Sequence, residues 1–152
     1  MIDIRTLLFI LSDGGRARLV RSAPDGGGFV TLEEMDNGET LRALKVERAA
    51  NPATRVFDSV GSGRHGAGKD NSDRLAKEAF ILEVADRAVD LVRQDRLAGV
   101  YVAAPPALIS LLRERLAASV KVSGSIGKDL TKVPDHELGP WLDDARYAPS
   151  GS

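Results

Sequence analysis

Leu7-Leu8-Phe9-Ile10-Leu11 is an unbroken apolar run, the pattern of a strand covered on both faces. Asp13-Gly14-Gly15 follows, residues that tolerate positive φ and predict a tight hairpin. From Arg16 to Arg21 the positions alternate, placing Arg16 and Arg18 on one face of a second strand and Ala17 and Leu19 on the other. Ala23–Gly28 (APDGGG) reads as a turn, and Phe29-Val30-Thr31-Leu32 as a third strand. The opening is expected to be an antiparallel three-stranded meander.

Residues 36–52 lose this regularity. Glu39–Ala50 fits either a short helix or a strand followed by a loop, and Val56-Phe57 a short extended segment. Residues 61–71 read as a glycine-rich loop. Beyond it, Leu75, Ala79, Leu82, Ala85, Val89 and Val92 mark the apolar stripe of a helix from about Ser72 to Arg96, ended by Gly99. Val100–Ala104 reads as a buried strand, and Pro105-Pro106 opens a helix with Leu108, Leu111, Leu112 and Leu116 inward. Lys121–Gly127 is a polar strand suited to a sheet edge; Pro134 starts a last short helix with Leu138, Trp141 and Leu142 inside. Residues 148–152 are expected to be a frayed tail. This order predicts one α/β domain over residues 1–147, a mixed sheet with helices packed on it. The meander followed by alternating helix and strand is the order of the ribonuclease-H-like architecture.

Composition narrows the function more than the fold. Among 152 residues there is no cysteine, which excludes disulfides, thiolate zinc sites and cysteine nucleophiles. The apolar run near the start is too short for a signal segment or a membrane span, so a cytoplasmic domain without a membrane partner is the default. Formal net charge is −1; any basic site must be a local patch, and no DNA partner is expected.

The local patch is Val60-Gly61-Ser62-Gly63-Arg64-His65-Gly66-Ala67-Gly68-Lys69-Asp70-Asn71. Gly61, Gly63 and Gly66 satisfy a dinucleotide fingerprint, but Ala67–Asn71 separate them from the expected helix, and no acid for a ribose ends the next strand. Gly63, Gly68 and Lys69 satisfy a phosphate loop until Asp70 stands where a magnesium-binding hydroxyl belongs. A two-metal nuclease would need converging carboxylates, whereas Asp13 reads as a turn residue and Asp58 and Asp129 lack acidic neighbours in sequence. No metal or cofactor is implied. A solvated connection remains the plain reading of the loop; against it, Arg64 and Lys69 can pair with phosphates and His65 can stack or hydrogen-bond. Trp141 suits a core anchor better than a base-stacking platform.

Several short motifs carry a family likeness: Asp13-Gly14-Gly15-Arg16-Ala17-Arg18, Asn51-Pro52, Gly63-Arg64, Phe80, Ala104-Pro105-Pro106, Leu112-Arg113 and Lys128-Asp129-Leu130-Thr131. In that order and spacing the chain, from about Leu7 to Asp143, resembles the bacterial host-attachment protein family, described as required for attachment to host cells. That family is similar in turn to the middle domain of archaeal and eukaryotic peptide-chain release factors. The resemblance implies a ribonuclease-H-like domain and a role at or near the ribosome. Release factors act through a Gly-Gly-Gln tip, which this chain lacks; its single glutamine is Gln94. The expectation is thus a non-catalytic domain binding RNA or the ribosome through Arg64, His65 and Lys69, with Arg16, Arg18 and Lys128 as further phosphate contacts. The rival expectation is a hydrolase of an ester or phosphodiester, using His65 as general base beside Asp58 or Asp70.

Overall fold

A continuous apolar run must be covered on both sides, and β1 (Leu7–Ser12) is buried at all six positions. It pairs antiparallel with β2 (Arg16–Ser22), which pairs antiparallel with β3 (Phe29–Asp36). On its other side β1 runs parallel to β4 (Gly99–Ala103), and β4 parallel to β5 (Val122–Ile126). The result is a five-stranded mixed sheet of order β3-β2-β1-β4-β5. The computed structural model describes residues 2–25, 27–37 and 62–147, with the side chains of 62–71 and 147 outside that description. The readings at Glu39–Ala50, Val56-Phe57 and 148–152 also lie outside the described residues.

Alternation along the strands divides the core into two layers. Leu8, Ile10, Leu19, Val100 and Val102 face two helices, α1 (Ser62–Gln94) and α2 (Pro106–Ala117), and meet Phe80, Ile81, Val84, Leu112 and Leu116 there. Leu7, Phe9, Leu11, Val20 and Tyr101 face the opposite way, under Leu130, Leu138, Leu142 and Ala145 of the C-terminal segment. That segment is made of short turns: Asp135–Glu137, α3 (Gly139–Leu142) and Asp143–Tyr147. Phe9 anchors this second layer, with its ring edge-on to Phe29 at 5.2 Å.

The long helix departs from its expected limits at both ends. It begins at Ser62, so residues 62–71 of the stretch read as a loop are helical backbone. Gly63, Gly66 and Gly68 together disfavour this by about 3 kcal/mol relative to alanine. Yet once the packed half has nucleated the helix, each added residue contributes a hydrogen bond. No side chain from Ser72 to Ala79 is buried, and Leu75, expected inside, is 58% exposed. The core-facing stripe starts at Phe80. At the other end the helix stops at Gln94, ahead of Gly99. Arg96 takes the left-handed conformation (φ 54°), while Leu97 N–H reaches back to Val92 O (2.9 Å) and Arg96 N–H to Arg93 O (3.4 Å). This is a Schellman end with arginine where glycine is usual. Gly99 serves the sheet instead: a Cβ there would lie 2.6 Å from the Lys121 carbonyl oxygen.

One irregularity decides which side chains meet. Leu19 pairs with Glu33 and Val20 with Thr31, leaving Leu32 as the extra residue of a bulge. Thr31 and Glu33, two apart, therefore reach opposite faces. Glu33 accepts both Arg87 Nε (2.7 Å) and Nη2 (2.6 Å), tying β3 to α1, and the bond to Arg87 holds the Glu33 carboxyl below its usual 4.5. Thr31 turns to the other face and meets Arg18.

Arg18 corrects the sequence reading most sharply. β2 is interior rather than an edge, and the face shared by Arg16 and Arg18 lies under the C-terminal segment at Arg18. The Arg18 side chain is only 10% exposed. Its Nη1 donates to the carbonyls of Leu130 (3.2 Å), Thr131 (3.3 Å) and Val133; its Nη2 donates to Asp135, and Thr31 Oγ1 accepts from Nε and Nη2. Thr31 donates through its hydroxyl to Asp135 Oδ1 (2.6 Å) and through its N–H to Oδ2 (3.2 Å). A guanidinium so committed has nothing to offer a phosphate.

Removing one member of such a set leaves buried partners unsatisfied, so Arg18→Leu should cost about 3 kcal/mol in urea unfolding. Arg18→Lys, without the planar fork, should recover only part of it. Burial alone would raise the Asp135 carboxyl, but the Thr31 hydroxyl and N–H and the Arg18 guanidinium outweigh it and hold the carboxyl below 3.8. Its contribution is complete above that unfolded value and is lost as pH falls through the lower folded one. Acid unfolding of Asp135→Asn should lack this component. Arg96→Gly, which relieves the left-handed arginine, should raise stability by up to about 1 kcal/mol.

Candidate functional site

In open α/β sheets ligands settle outside the carboxyl ends of the strands. Here that end is built from the Asp13–Arg16 hairpin, the Ala104-Pro105-Pro106 turn after β4, and the segment from Gly127 to Thr131 after β5. Three of the motifs that carried the family likeness are therefore brought together in space.

Asp13 organises the hairpin. Its Oδ1 accepts the N–H groups of Gly15 (2.7 Å) and Arg16 (2.7 Å), the side-chain turn that favours aspartate before glycine. Its Oδ2 lies 3.4 Å from Thr131 Oγ1. The Thr131 hydroxyl has one proton, and the shorter contact, 2.6 Å to Asp129 Oδ1, takes it. Asp129 Oδ1 also accepts Thr131 N–H at 2.9 Å. Asp13 and Asp129 thus hold backbone and a hydroxyl. Among the described residues no group of three or more His, Asp or Glu side chains could hold a metal ion.

Beside this cluster lies an open groove of about 720 Å³ between α1 and α2. Gly14 and Pro105 close its sheet end, Leu108 and Leu111 form one wall, and Asp73, Arg74, Lys77 and Glu78 form the other. Gly14 lets the hairpin approach α1, since a Cβ there would meet Lys77 Cγ and Cδ at 2.8 Å. Lys77 and Arg74 are exposed, and among the described residues Arg74 makes a loose contact with Glu78 (3.9 Å). Arg74 and Lys77 lie off the apolar stripe that periodicity marks, and nothing in the sequence shows that the hairpin arrives opposite them.

The expected contacts fall into three groups. Arg16 is exposed and lines a smaller recess of about 220 Å³ with Glu34, Asp36 and Thr131. Lys128 is exposed, with its ammonium 5.0 Å from the Trp141 ring centroid. Arg18 is structural. The side chains of Arg64, His65, Lys69 and Asp70 lie outside the described residues, as does Asp58. Arg113, another of the family marks, donates to Ser125 Oγ (3.0 Å) and ties α2 to β5. No helix among the described residues is long and apolar enough to cross a membrane.

The family model described as "Protein required for attachment to host cells" matches residues 8–142, and the chain belongs to that family. No curated protein matches it.

If Asp13 and Thr131 are structural, their removal should register in stability. Asp13→Ala, which strands two N–H groups, should lower the unfolding free energy by about 1–2 kcal/mol, and Thr131→Val by about 1 kcal/mol. Chemical denaturation at neutral pH measures both.

Proposed function

We propose that this member of the family is a non-catalytic RNA-binding domain that acts at the ribosome, with the RNA backbone lying along α1 and across the carboxyl end of the sheet. The observation that carries this reading is the extension of α1 back to Ser62. Helical positions four apart share a side, so 65, 69, 73 and 77 form one row, and its last two members line the groove. Lys69 and Lys77 supply the cations of that row and His65 a ring that can stack or hydrogen-bond, Asp73 interrupts it, and Arg64 and Arg74 lie beside it in sequence.

Phosphate contacts need point charges at roughly the spacing of a backbone rather than a shaped pocket. A helix with Lys69, Arg74 and Lys77 spaced along it toward a groove meets that requirement. Arg16 and Lys128, exposed at the same end, extend it. The resemblance to release-factor middle domains motivates the ribosome as the source of the RNA. The absence of a Gly-Gly-Gln tip, and the use of Asp13 and Asp129 as backbone acceptors, favour binding over hydrolysis.

Co-sedimentation with ribosomes across a salt series tests this. Arg64→Glu/Lys69→Glu and Arg74→Glu/Lys77→Glu should each weaken association and flatten its salt dependence, by a slope of roughly 0.7 per lost single-strand phosphate contact. A quadruple variant that pellets with ribosomes like the parent at every salt concentration overturns the reading.

A further inference from the structure

Trp141 is the single tryptophan of the chain. It sits in α3, half-buried, with one side packed against the second core layer. Outward it borders a pocket of about 520 Å³ whose other walls include Pro134, Pro140, Lys132 and His136. Two pyrrolidine rings beside an indole make a rigid apolar surface that loses little entropy when covered.

The charges around this surface are unequal in their freedom. Lys132 is exposed, and the Lys128 ammonium has the indole as its partner among the described residues. Of the nearby carboxylates, Asp135 is held by Arg18 and Thr31, and Asp129 by Thr131. Glu137 is the one acid lining the pocket. The ammonium groups placed to meet an anionic group are Lys132, in the pocket lining, and Lys128, on the indole.

We infer that this pocket stacks one unpaired nucleotide of the bound RNA, the base against Trp141 and its phosphate on Lys128 and Lys132. The inference rests on the RNA reading and adds a second contact point to it. Aromatic platforms flanked by cations are how single strands are held without sequence preference. A volume of this size takes a mononucleotide and no duplex. The exchange asked of Lys128 is small, since a cation–π contact at an exposed site is weak beside an ion pair with phosphate. An acidic peptide would use the lysines but leave the indole and both prolines without a planar partner. The segment carrying Lys128 and Lys132 is also pinned, by Arg18 on its carbonyls and by Asp129 on Thr131, so the backbone that presents these cations is set before a ligand arrives.

Because Trp141 is the sole indole, its fluorescence reports this pocket alone. The full chain is titrated with uridine 5′-monophosphate, with uridine, with a fluorescein-labelled octauridylate followed in parallel by anisotropy, and with a glutamate-rich peptide. Quenching is expected from the nucleotide and the oligonucleotide, weaker quenching from uridine, and none from the peptide. Lys128→Glu/Lys132→Glu should weaken nucleotide binding about tenfold or more, and Trp141→Leu should weaken octauridylate anisotropy by a similar factor. Circular dichroism melts confirm that each variant is folded. Octauridylate binding without quenching removes the stacking site and leaves the RNA reading standing. Quenching by the mononucleotide without octauridylate binding removes the polymer reading and keeps the pocket. Quenching by the peptide, or equal quenching by all four, overturns the inference.

Discussion

The guanidinium of Arg18 holds the two halves of this molecule to each other. It rises from the middle of the sheet into a segment with little regular structure, where three main-chain carbonyls need donors. The Leu130 carbonyl also accepts the Val133 N–H within its turn (3.1 Å), and burial of the other two without a partner would be costly. Arginine brings several donors in a planar fork, and Asp135 and Thr31 balance its charge and complete its bonds. The second core layer, with Leu130, Leu138 and Leu142 over Phe9, lies beside this polar set.

That staple has consequences for the carboxyl end of the sheet. With its carbonyl taken by Arg18 and its hydroxyl by Asp129, Thr131 is fixed beside Asp13, and Lys128 and Lys132 stand on either side of it in the chain. The interior arginine and the exterior lysines thus have opposite roles. One is desolvated and fully paired; the others keep their heads in water, where they can trade solvent for an anion. The groove between α1 and α2 follows the same division, with apolar Leu108 and Leu111 on one wall and Arg74 and Lys77 on the other.

Much of the architecture was legible in the sequence because it depends on period. The run at Leu7–Leu11, the hairpin at Asp13-Gly14-Gly15 and the prolines at 105 and 106 each determine local structure through one residue type. Arg18 was not legible. Strand alternation put it opposite Ala17 and Leu19, correctly, but the cover over that face comes from 112 or more residues further along the chain. The bulge at Leu32 was equally hidden, since a two-residue period cannot reveal where it breaks. The start of α1 was misjudged because three glycines suggested a loop, although helix extension tolerates them. The groove could not have been found from the chain alone, because its walls come from α1, α2 and the hairpin.

Ultraviolet cross-linking of the protein to RNA in cells, followed by mass-spectrometric location of the nucleotide-bearing peptides, tests the central claim most directly. The account predicts adducts confined to residues 62–78 of α1, to the hairpin that carries Arg16, and to the stretch from Lys128 to Trp141. Adducts concentrated on β3 or the C-terminal half of α1, or a protein that cross-links to no RNA at all, would contradict it.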